Sequence, residues 1–455
     1  MVGTHSENDG VVRLKRREHE AGIEAVILPD GEKVPVVPWD TEPSADLGVF
    51  LHGVFLQYGE EQAGGGWSVP ATGSDALVVR VRQWRRVLGP DRPIIVSGGV
   101  AQPSDARALR LAGATLILVD AGLVFHGPGL IKRCNAALVP ERSAAMETAP
   151  TPGLARHAWF WATALGAALA LGGALTLGLA MTRVLLPYDE HYLGISAELL
   201  ARTQAKLFAF MAHDRGTLAG TMLGLGWLYV VLAMGGIRRG VHGVRMAVVA
   251  SAVTGFATFF SFLGFGYFDA LHAFVAVVLF QLTVQIMVSA ESIERGPLPL
   301  SDDEDAAWIA AQWGQLLWLV HAVGLILAGA VILRIGMTSV FVAEDLDFLC
   351  LTAKDAAVMN ERLIGVVAHD RATLGGMLLA SGVGALLPVL WCYQRGATWL
   401  WWAMAGLGVP AYSAALGVHL WVGYTDWRHL LPAVIGLALW LAGLLLSRRY
   451  LTAQK

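Results

Sequence analysis

A duplicated motif with charged residues constrains this chain more than any other feature. Residues 212–220 (AHDRGTLAG) recur as residues 368–376 (AHDRATLGG), and their histidines are 156 residues apart. Downstream, residues 266–272 (GYFDALH) are matched by residues 423–429 (GYTDWRH) at an offset of 157. A period this long, with charged motifs between apolar stretches, predicts a duplicated membrane domain.

The composition agrees with a membrane protein and limits the function classes. Hydrophobic residues make up 55 % of the chain and charged residues 15 %, whereas soluble domains are about 25 % charged. The formal net charge of −3 gives no electrostatic reason to expect nucleic acid as a partner. The three cysteines form no CxxC pair that would indicate a zinc site or a disulfide framework. The partner we expect is the lipid bilayer.

Eight apolar segments are long enough, or nearly long enough, to span a bilayer, which requires ~20 residues in a helix. They are 158–183, 217–236, 246–266, 270–290, 307–333, 372–392, 399–421 and 430–447. Four segments fall in repeat 1 (156–300) and four in repeat 2 (301–455), so both repeats have the same orientation, related by an axis along the membrane normal. The predicted fold is therefore predominantly α, with an eight-helix polytopic membrane domain made of two parallel four-helix repeats.

The positions of arginines predict the orientation of this domain. Arg238 and Arg239 follow the second predicted helix, Arg395 follows the sixth, and Arg448 and Arg449 follow the eighth. The positive-inside rule places these connections in the cytoplasm. We therefore predict a multi-pass protein of the cell membrane with both termini in the cytoplasm. The duplicated motifs then gather on the outer face.

The first duplicated motif has two interpretations. Its ionisable residues are His213, Asp214 and Arg215 in one copy and His369, Asp370 and Arg371 in the other. Ionisable groups near a bilayer are costly and mark functional sites, so the paired triplets could relay protons, bind an anion or hold a quinone head group. Alternatively, the aspartates cap the following helices and the arginines pair with them or extend to the interface. The sequence does not decide between these interpretations.

The second duplicated motif has the same ambiguity. It contains Asp269 and His272 in one copy and Asp426 and His429 in the other. The aspartates could cap the next helices, and the tyrosine of each motif suits an interfacial aromatic belt.

A metal site would require histidines of both motifs to converge. The four histidines in question are His213, His272, His369 and His429. Capped helix starts are commoner than sites built from histidine alone, so we predict no metal. His419 breaks the repeat, because it lies inside the seventh predicted helix and Phe262 stands at its counterpart position.

The part of the chain before the membrane domain has a different pattern. Residues 1–63 predict an irregular lead-in, and residues 140–155 a linker. Between them, residues 64–139 alternate strand and helix signals. The strands are predicted at 93–97 and 115–119, and the helices at 75–87, 103–112 and near 127–138.

Four segments of this region carry a family resemblance. They are GGGWS (64–68), PIIVSGGV (93–100), SDARALRLAGAT (104–115) and AGLVFHGPGLIK (121–132). Together they resemble the carboxyl-terminal end of dihydroorotate dehydrogenase, a flavin-dependent (β/α)₈ barrel. The resemblance implies a small partial α/β barrel over 64–139. It also implies a site for the FMN phosphate on backbone N–H groups, at Gly98, Gly99, Ala121 and Gly122.

The sequence also departs from this family. About the last third of a barrel of ~250 residues is present, and residues 1–63 match none of the family's substrate-binding asparagines, its flavin-contacting lysine or its catalytic base. Ser97 replaces a family glycine, and Asp120 brings a carboxylate close to the expected phosphate. Dihydroorotate oxidation by this chain alone is therefore not expected. A remnant, a fragment completed by another chain, or a sequence lacking its upstream half would fit better.

Two hypotheses follow for the function. In the first, a truncated head that resembles the flavin-phosphate end of dihydroorotate dehydrogenase is redox-linked to the quinone pool by the membrane domain. In the second, the protein is a transporter or sensor that uses the paired His-Asp-Arg motifs, and the head is vestigial.

Overall fold

The computed structural model describes most of the chain. The described residues are 15–20, 23–27, 33–38, 40–43, 53–58, 60–61, 67–68, 75–120, 122–123, 129–138, 157–241, 243–259, 267–268, 270–289, 305–352, 355 and 361–453. Those up to Leu138 belong to one compact unit, here called the head, and those from His157 onwards to a second, here called the membrane unit.

The head contains a six-stranded sheet in the order β1-β2-β3-β4-β7-β8 and a separate β5-β6 pair. The strands are β1 Lys15–Glu20, β2 Ile23–Ile27, β3 Lys33–Pro38, β4 Val54–Gln57, β5 Glu60–Glu61, β6 Trp67–Ser68, β7 Ile94–Ser97 and β8 Leu116–Leu118. Strands β3, β4, β7 and β8 are parallel, whereas β1 and β2 pair antiparallel with their neighbours.

Three helices cover one face of this sheet. They are α1 Asp75–Leu88, α2 Pro103–Ala112 and α3 Gly129–Leu138. Trp84, Leu109 and Leu130 from these helices pack with Val96 of β7 in one cluster, whereas Ile95, the next residue along β7, packs on the opposite face. Apolar side chains on both faces are typical of parallel strands.

The structure corrects the prediction of an irregular lead-in over residues 1–63, because β1 to β5 lie in that range. Strand β3 pairs with β4, so the sheet continues past the segment that resembles the barrel. Short strands with prolines, such as Lys33–Pro38 (KVPVVP), give a weak local signal, and their pairing across the sheet makes them strands. Between residues 75 and 138 the predicted strands and helices agree with the structure.

The membrane unit is helical. Its helices are α4 Ala158–Thr182, α5 Pro187–Leu193, α6 Ala197–Thr203, α7 Ala205–Gly235, α8 Val244–Phe259, α9 Ala270–Val288, α10 Ala306–Met337, α11 Ala343–Leu349, α12 Glu361–Trp391, α13 Thr398–Val422 and α14 Trp427–Leu451. Among the described residues, seven of these are long and apolar enough to cross a membrane, and the apolar part of α8, Val244–Thr258, is shorter. These helices indicate a multi-pass membrane protein.

Two helix starts differ from the prediction. Helix α7 begins at Ala205 and α12 at Glu361, whereas the hydropathy pattern predicted starts at 217 and 372. The charged motifs lower the local hydropathy, which is why the pattern placed the helix starts after them. The helices continue through the charges because partners from other helices neutralise them, as described below.

Helices α7 and α12 form the centre of the membrane unit. In α7 and α12, 67 % and 56 % of the residues in the apolar stretch are buried, whereas in α10 and α14 only 22 % are buried. Helix α4 packs along α7, and α10 packs along α12. Helix α13 packs along α7 and α8 along α12, so the third long helix of each sequence repeat lies against the second helix of the other repeat.

Small residues let these helices approach closely at positions that recur with the sequence repeat. A Cβ added to Gly173 in α4 would lie 2.9 Å from the carbonyl oxygen of Ala219 in α7. The counterpart in the second repeat is Gly329 in α10, where the added Cβ would lie 2.7 Å from the carbonyl oxygen of Gly375 in α12. Such close backbone contact is a common device for packing helices in lipid.

We predict that Gly329→Val destabilises the membrane unit by about 1–3 kcal/mol, because the new side chain has no room against the backbone of α12. The matched control is Gly324→Val in the same helix, where an added Cβ meets no atom within 4 Å. Thermal unfolding of both variants in detergent tests this prediction, and equal losses of stability would contradict it.

Candidate functional site

The first duplicated motif lies inside the helices and not at their ends. His213, Asp214 and Arg215 occupy the third turn of α7, and all three side chains are buried. The second copy is buried in the same way in α12. The alternative in which Asp214 and Asp370 cap helices is therefore wrong.

The two copies of the motif neutralise each other by crossed ion pairs. Arg215 Nε in α7 donates to Asp370 Oδ2 in α12 at 2.9 Å. Reciprocally, Arg371 Nε in α12 donates to Asp214 Oδ2 in α7 at 3.3 Å. Each arginine thus binds the aspartate of the other copy, and this exchange joins the two central helices.

Each arginine also binds a carboxylate from a short helix. Arg215 Nη1 lies 2.8 Å from Asp189 Oδ2 in α5, and Arg371 Nη1 lies 2.7 Å from Asp345 Oδ2 in α11. The same two aspartates accept a backbone N–H at the start of their own helix. The ion pairs therefore fix both the central helices and the connections that precede them.

Each arginine also donates a hydrogen bond to the carbonyl oxygen of a valine whose backbone is strained. Val184 and Val340 have φ values of +60° and +63°, a left-handed conformation that is unfavourable for a β-branched residue. Their carbonyl oxygens accept hydrogen bonds from Arg215 Nη1 and Arg371 Nη1, respectively. The strain therefore coincides with hydrogen bonds to a buried guanidinium group.

A tyrosine from each second motif completes the network. Tyr267 donates its hydroxyl hydrogen to Asp189, and Tyr424 donates to Asp345 Oδ1 at 2.9 Å. Both tyrosines are buried, so they do not form the interfacial belt that the sequence suggested. Burial, together with the nearby Asp345 carboxylate, raises the pKa of Tyr424, and the hydroxyl remains a hydrogen-bond donor.

The network contains an excess of negative charge. Its charged members are the carboxylates of Asp189, Asp214, Asp345 and Asp370 and the guanidinium groups of Arg215 and Arg371. His213 Nδ1 lies 3.1 Å from Asp214 Oδ1, and His369 Nδ1 lies 3.0 Å from Asp370 Oδ1. Positive charge at these histidines, from a proton or a bound cation, would balance the excess.

The histidines form two separate groups. His272 Nδ1 lies 2.8 Å from His369 Nε2. In the second group, His213 Nε2 lies 2.9 Å from His419 Nε2, and His429 is the third member. The four histidines considered from the sequence therefore do not converge, and the second group includes His419, which breaks the repeat.

The remaining motif residues are the aspartates of the second motif. Asp426 caps α14, because its carboxylate accepts the backbone N–H groups of Arg428 and His429 at 2.8 and 3.2 Å. The capping interpretation is confirmed for this copy. Asp269 lies outside the described residues.

A cavity of about 360 Å³ borders one of the two histidine groups. Its lining comes from α4, α7, α8, α9 and α12 and is mostly aliphatic and aromatic. At one end lie the polar side chains of Arg215, His272, His369, Asp370 and Thr373. The cavity therefore combines apolar walls with one ionisable end, in the pattern of a site for an amphipathic small molecule.

The contributions of Asp189 and Asp345 were not predicted from the sequence. These residues are 156 positions apart, as are Val184 and Val340. Extending the repeat comparison into the connections before α7 and α12 would have identified them, although only the fold reveals that they bind the arginines.

In the head, the predicted phosphate-binding glycines lie where two loops meet. Gly98 and Gly99 have φ values of +86° and +71°, and Gly98 donates its N–H to the Leu118 carbonyl oxygen at 3.2 Å. Gly122 abuts the Val100 carbonyl, which an added Cβ would approach to 2.0 Å. Ala121 lies outside the described residues.

The described loops fit the phosphate of FMN poorly. Asp120 Oδ2 accepts a hydrogen bond from Ser97 Oγ at 3.2 Å and would lie 3.2 Å from a Cβ on Gly98. A carboxylate at this position opposes an anion electrostatically. In addition, the Gly98 N–H is already engaged in the sheet.

We predict that Arg371→Met destabilises the membrane unit by about 3–5 kcal/mol, because it leaves the buried Asp214 and Asp345 carboxylates without their partner. The control is Arg334→Met, since Arg334 is exposed at the end of α10. Thermal unfolding in detergent provides the measurement. A loss no larger than that of the control would show that the crossed pairs do not stabilise the fold.

Comparisons with known proteins concern a short segment of the chain. "Dihydroorotate dehydrogenase (quinone)" of Polynucleobacter asymbioticus is 40 % identical over 83 residues, which is 18 % of this chain and 23 % of that protein. The enzymes of the same name from Cupriavidus pinatubonensis and Dichelobacter nodosus are 44 % identical over 78 residues and 37 % identical over 86 residues, respectively. These matches cover 17 % and 19 % of this chain and 22 % and 24 % of the two enzymes.

The chain thus spans about a quarter of the length of these curated relatives. No family model matches the chain, and no solved structure matches it. This multi-pass membrane protein therefore contains a partial region similar to dihydroorotate dehydrogenase (quinone).

Proposed function

We propose that this protein is an integral protein of the cell membrane whose membrane unit binds a quinone and links a dihydroorotate dehydrogenase-like redox system to the quinone pool. The observation that carries the proposal is the cavity of about 360 Å³ with apolar walls and one ionisable end. The matched relatives are named for a quinone, which supports the same ligand class.

The cavity suits the two chemical parts of a membrane quinone. Leu165, Leu169 and Phe256 are among the apolar walls, which favour an isoprenoid chain by burial of apolar surface. His272 and His369 stand at the polar end and offer hydrogen bonds to the carbonyl oxygens of the ring. A volume of this size lies within the range of small-molecule sites.

The polar end also provides a route for protons. Reduction of a quinone to a quinol takes up protons together with electrons. His272 Nδ1 contacts His369 Nε2 at 2.8 Å, and His369 Nδ1 contacts Asp370 Oδ1 at 3.0 Å. This line of hydrogen-bonding groups connects the cavity to the charge network.

The electrons would enter the quinone pool from a flavin held by a complete barrel, and the pool would carry them to the cavity. We propose that another chain completes the barrel of which the head forms a part, because about a quarter of the relatives' length is present. The head alone fits the phosphate of FMN poorly, since the Asp120 carboxylate from the loop after β8 lies beside Ser97 and Gly98. No step is therefore assigned to a flavin on this chain.

We further propose that the membrane unit consists of two parallel four-helix repeats, with the termini in the cytoplasm and the paired motifs toward the outer face. The support is the recurrence of contacts with the sequence period. The Arg215–Asp189 pair recurs as Arg371–Asp345, and the approach of α4 to α7 recurs as that of α10 to α12.

We predict that the purified chain alone carries no FMN. The reason is the Asp120 carboxylate, which opposes the phosphate, together with the engaged N–H of Gly98. Visible absorbance of the purified protein and a fluorescence titration with FMN measure this. Stoichiometric flavin on the isolated chain would contradict the poor fit and would place the flavin on the head itself.

We predict that Ala276→Phe weakens binding of a short-chain ubiquinone analogue at least about tenfold, because Ala276 lines the cavity and a larger side chain fills it. The matched control is Val277→Phe, since Val277 is the next residue of α9 and is 68 % exposed. Isothermal titration calorimetry in detergent gives the affinities.

Two results of this titration would count against the proposal. Equal affinities of the two phenylalanine variants would exclude the cavity as the quinone site. Absence of binding by the unmodified protein would remove the quinone and favour the transporter or sensor hypothesis.

A further inference from the structure

The second histidine group lies away from the cavity and has no part in the proposed quinone site. It consists of His213 in α7, His419 in α13 and His429 in α14. One ring nitrogen from each residue lies within 4.8 Å of those from the other two. His213 and His419 are buried and His429 is partly exposed, so the group is enclosed but reachable from one side.

The hydrogen bonds around two of these rings determine where their hydrogens lie. His419 Nδ1 contacts the Ala415 carbonyl oxygen at 2.6 Å, and since a carbonyl only accepts, Nδ1 carries the hydrogen. Tyr424 gives its hydroxyl hydrogen to Asp345, so the 3.1 Å contact of its oxygen with His429 Nδ1 requires the hydrogen on the histidine. In the neutral rings, the Nε2 atoms of His419 and His429 are therefore unprotonated, and each has a lone pair that can bind a hydrogen or a metal ion.

The neutral ring of His213 carries one hydrogen and cannot satisfy the surroundings of both its nitrogens when no cation is present. His213 Nε2 lies 2.9 Å from the bare His419 Nε2, so it would have to carry the hydrogen of the neutral ring. His213 Nδ1 would then carry no hydrogen. It would face Asp214 Oδ1 at 3.1 Å, and the lone pairs of the two acceptor atoms would repel each other. Within the described residues this buried nitrogen has no hydrogen-bond partner, although the side chain is only 4 % exposed.

A metal ion among the three Nε2 atoms removes the conflict. His213 Nε2 would then be a ligand, and its Nδ1 hydrogen would face Asp214. His419 and His429 would direct Nδ1 to the Ala415 carbonyl and the Tyr424 hydroxyl oxygen. His213 Nδ1 lies 3.1 Å from Asp214 Oδ1 and would need a small rotation of the ring to donate to it. This pattern of outer contacts is the usual support of metal-binding histidines. It also adds positive charge beside a network with excess carboxylates.

We propose that His213, His419 and His429 bind a divalent transition metal ion. Neutral imidazoles suit zinc, copper, nickel and iron, and three histidines with an open fourth position are typical of reactive zinc centres. Two nitrogens on a tetrahedral zinc at ~2.0–2.1 Å are about 3.3 Å apart. The 2.9 Å separation of His213 and His419 would widen by a few tenths of an ångström, and the nitrogen of His429, which lies within 4.8 Å of the other two, would move to the same distance.

The sequence repeat supplies three histidines at only one of the two equivalent sets of positions. The counterparts of His213 and His429 in the sequence repeat are His369 and His272, but the counterpart of His419 is Phe262. His272 also approaches His369 through Nδ1, whereas His429 directs Nδ1 to Tyr424. The first repeat thus provides matched controls for variants of His213 and His429.

Metal binding is tested on full-length protein in detergent with the affinity tag removed, after chelation and dialysis against zinc. We expect one equivalent of zinc per chain by elemental analysis. Cobalt in place of zinc should give the visible absorbance of a tetrahedral centre. His419→Phe and His429→Ala should abolish both signals, whereas His272→Ala should leave them unchanged.

A second pair of variants separates ligation from folding. Tyr424→Phe removes the outer acceptor of His429 and should weaken zinc binding about 10- to 100-fold, whereas Tyr267→Phe in the other repeat should not. Thermal unfolding shows whether each variant remains folded. The proposal is overturned by wild-type protein without stoichiometric metal, or by metal that survives in folded His429→Ala.

Discussion

The crossed ion pairs between α7 and α12 are the interaction on which the membrane unit depends. An uncompensated charge in a bilayer is very costly, and a buried pair is tolerated only when its geometry and its further hydrogen bonds are good. Here Arg215 and Arg371 each bind two carboxylates and a backbone carbonyl. These contacts fix the register of the two central helices, the positions of α5 and α11, and the turns that carry Tyr267 and Tyr424.

The network separates what both halves share from what differs between them. The ion pairs, the strained valines and the tyrosine contacts occur twice, as expected of a structural framework. The surroundings of the histidines differ, because His272 and His369 border an apolar cavity, whereas His213 and His429 meet His419. A duplicated framework with two different histidine groups permits two chemistries in one bundle, one for an amphipathic ligand and one for a cation.

In the head, the part that resembles dihydroorotate dehydrogenase formed the predicted strands and helices, since a short parallel βα sequence has strong local signals. Strands β1 to β4 were not predicted, because each is held by pairing with its neighbours in the sheet and not by a local pattern. The loops after β7 and β8 retain the glycines of a phosphate site, yet the Asp120 carboxylate of the second loop lies beside Gly98 of the first. Likeness in sequence therefore does not by itself supply the chemistry of the site.

The sequence alone determined that the chain is a helical membrane protein with an internal period and charged motifs, because hydropathy and repetition are local properties of the chain. It could not determine that Asp214 pairs with Arg371 and not with its neighbour Arg215, nor that α7 begins at Ala205. It also did not reveal that His419 joins His213 and His429. These facts depend on which helices pack together, and in lipid that packing is set by close contacts and paired charges between distant segments.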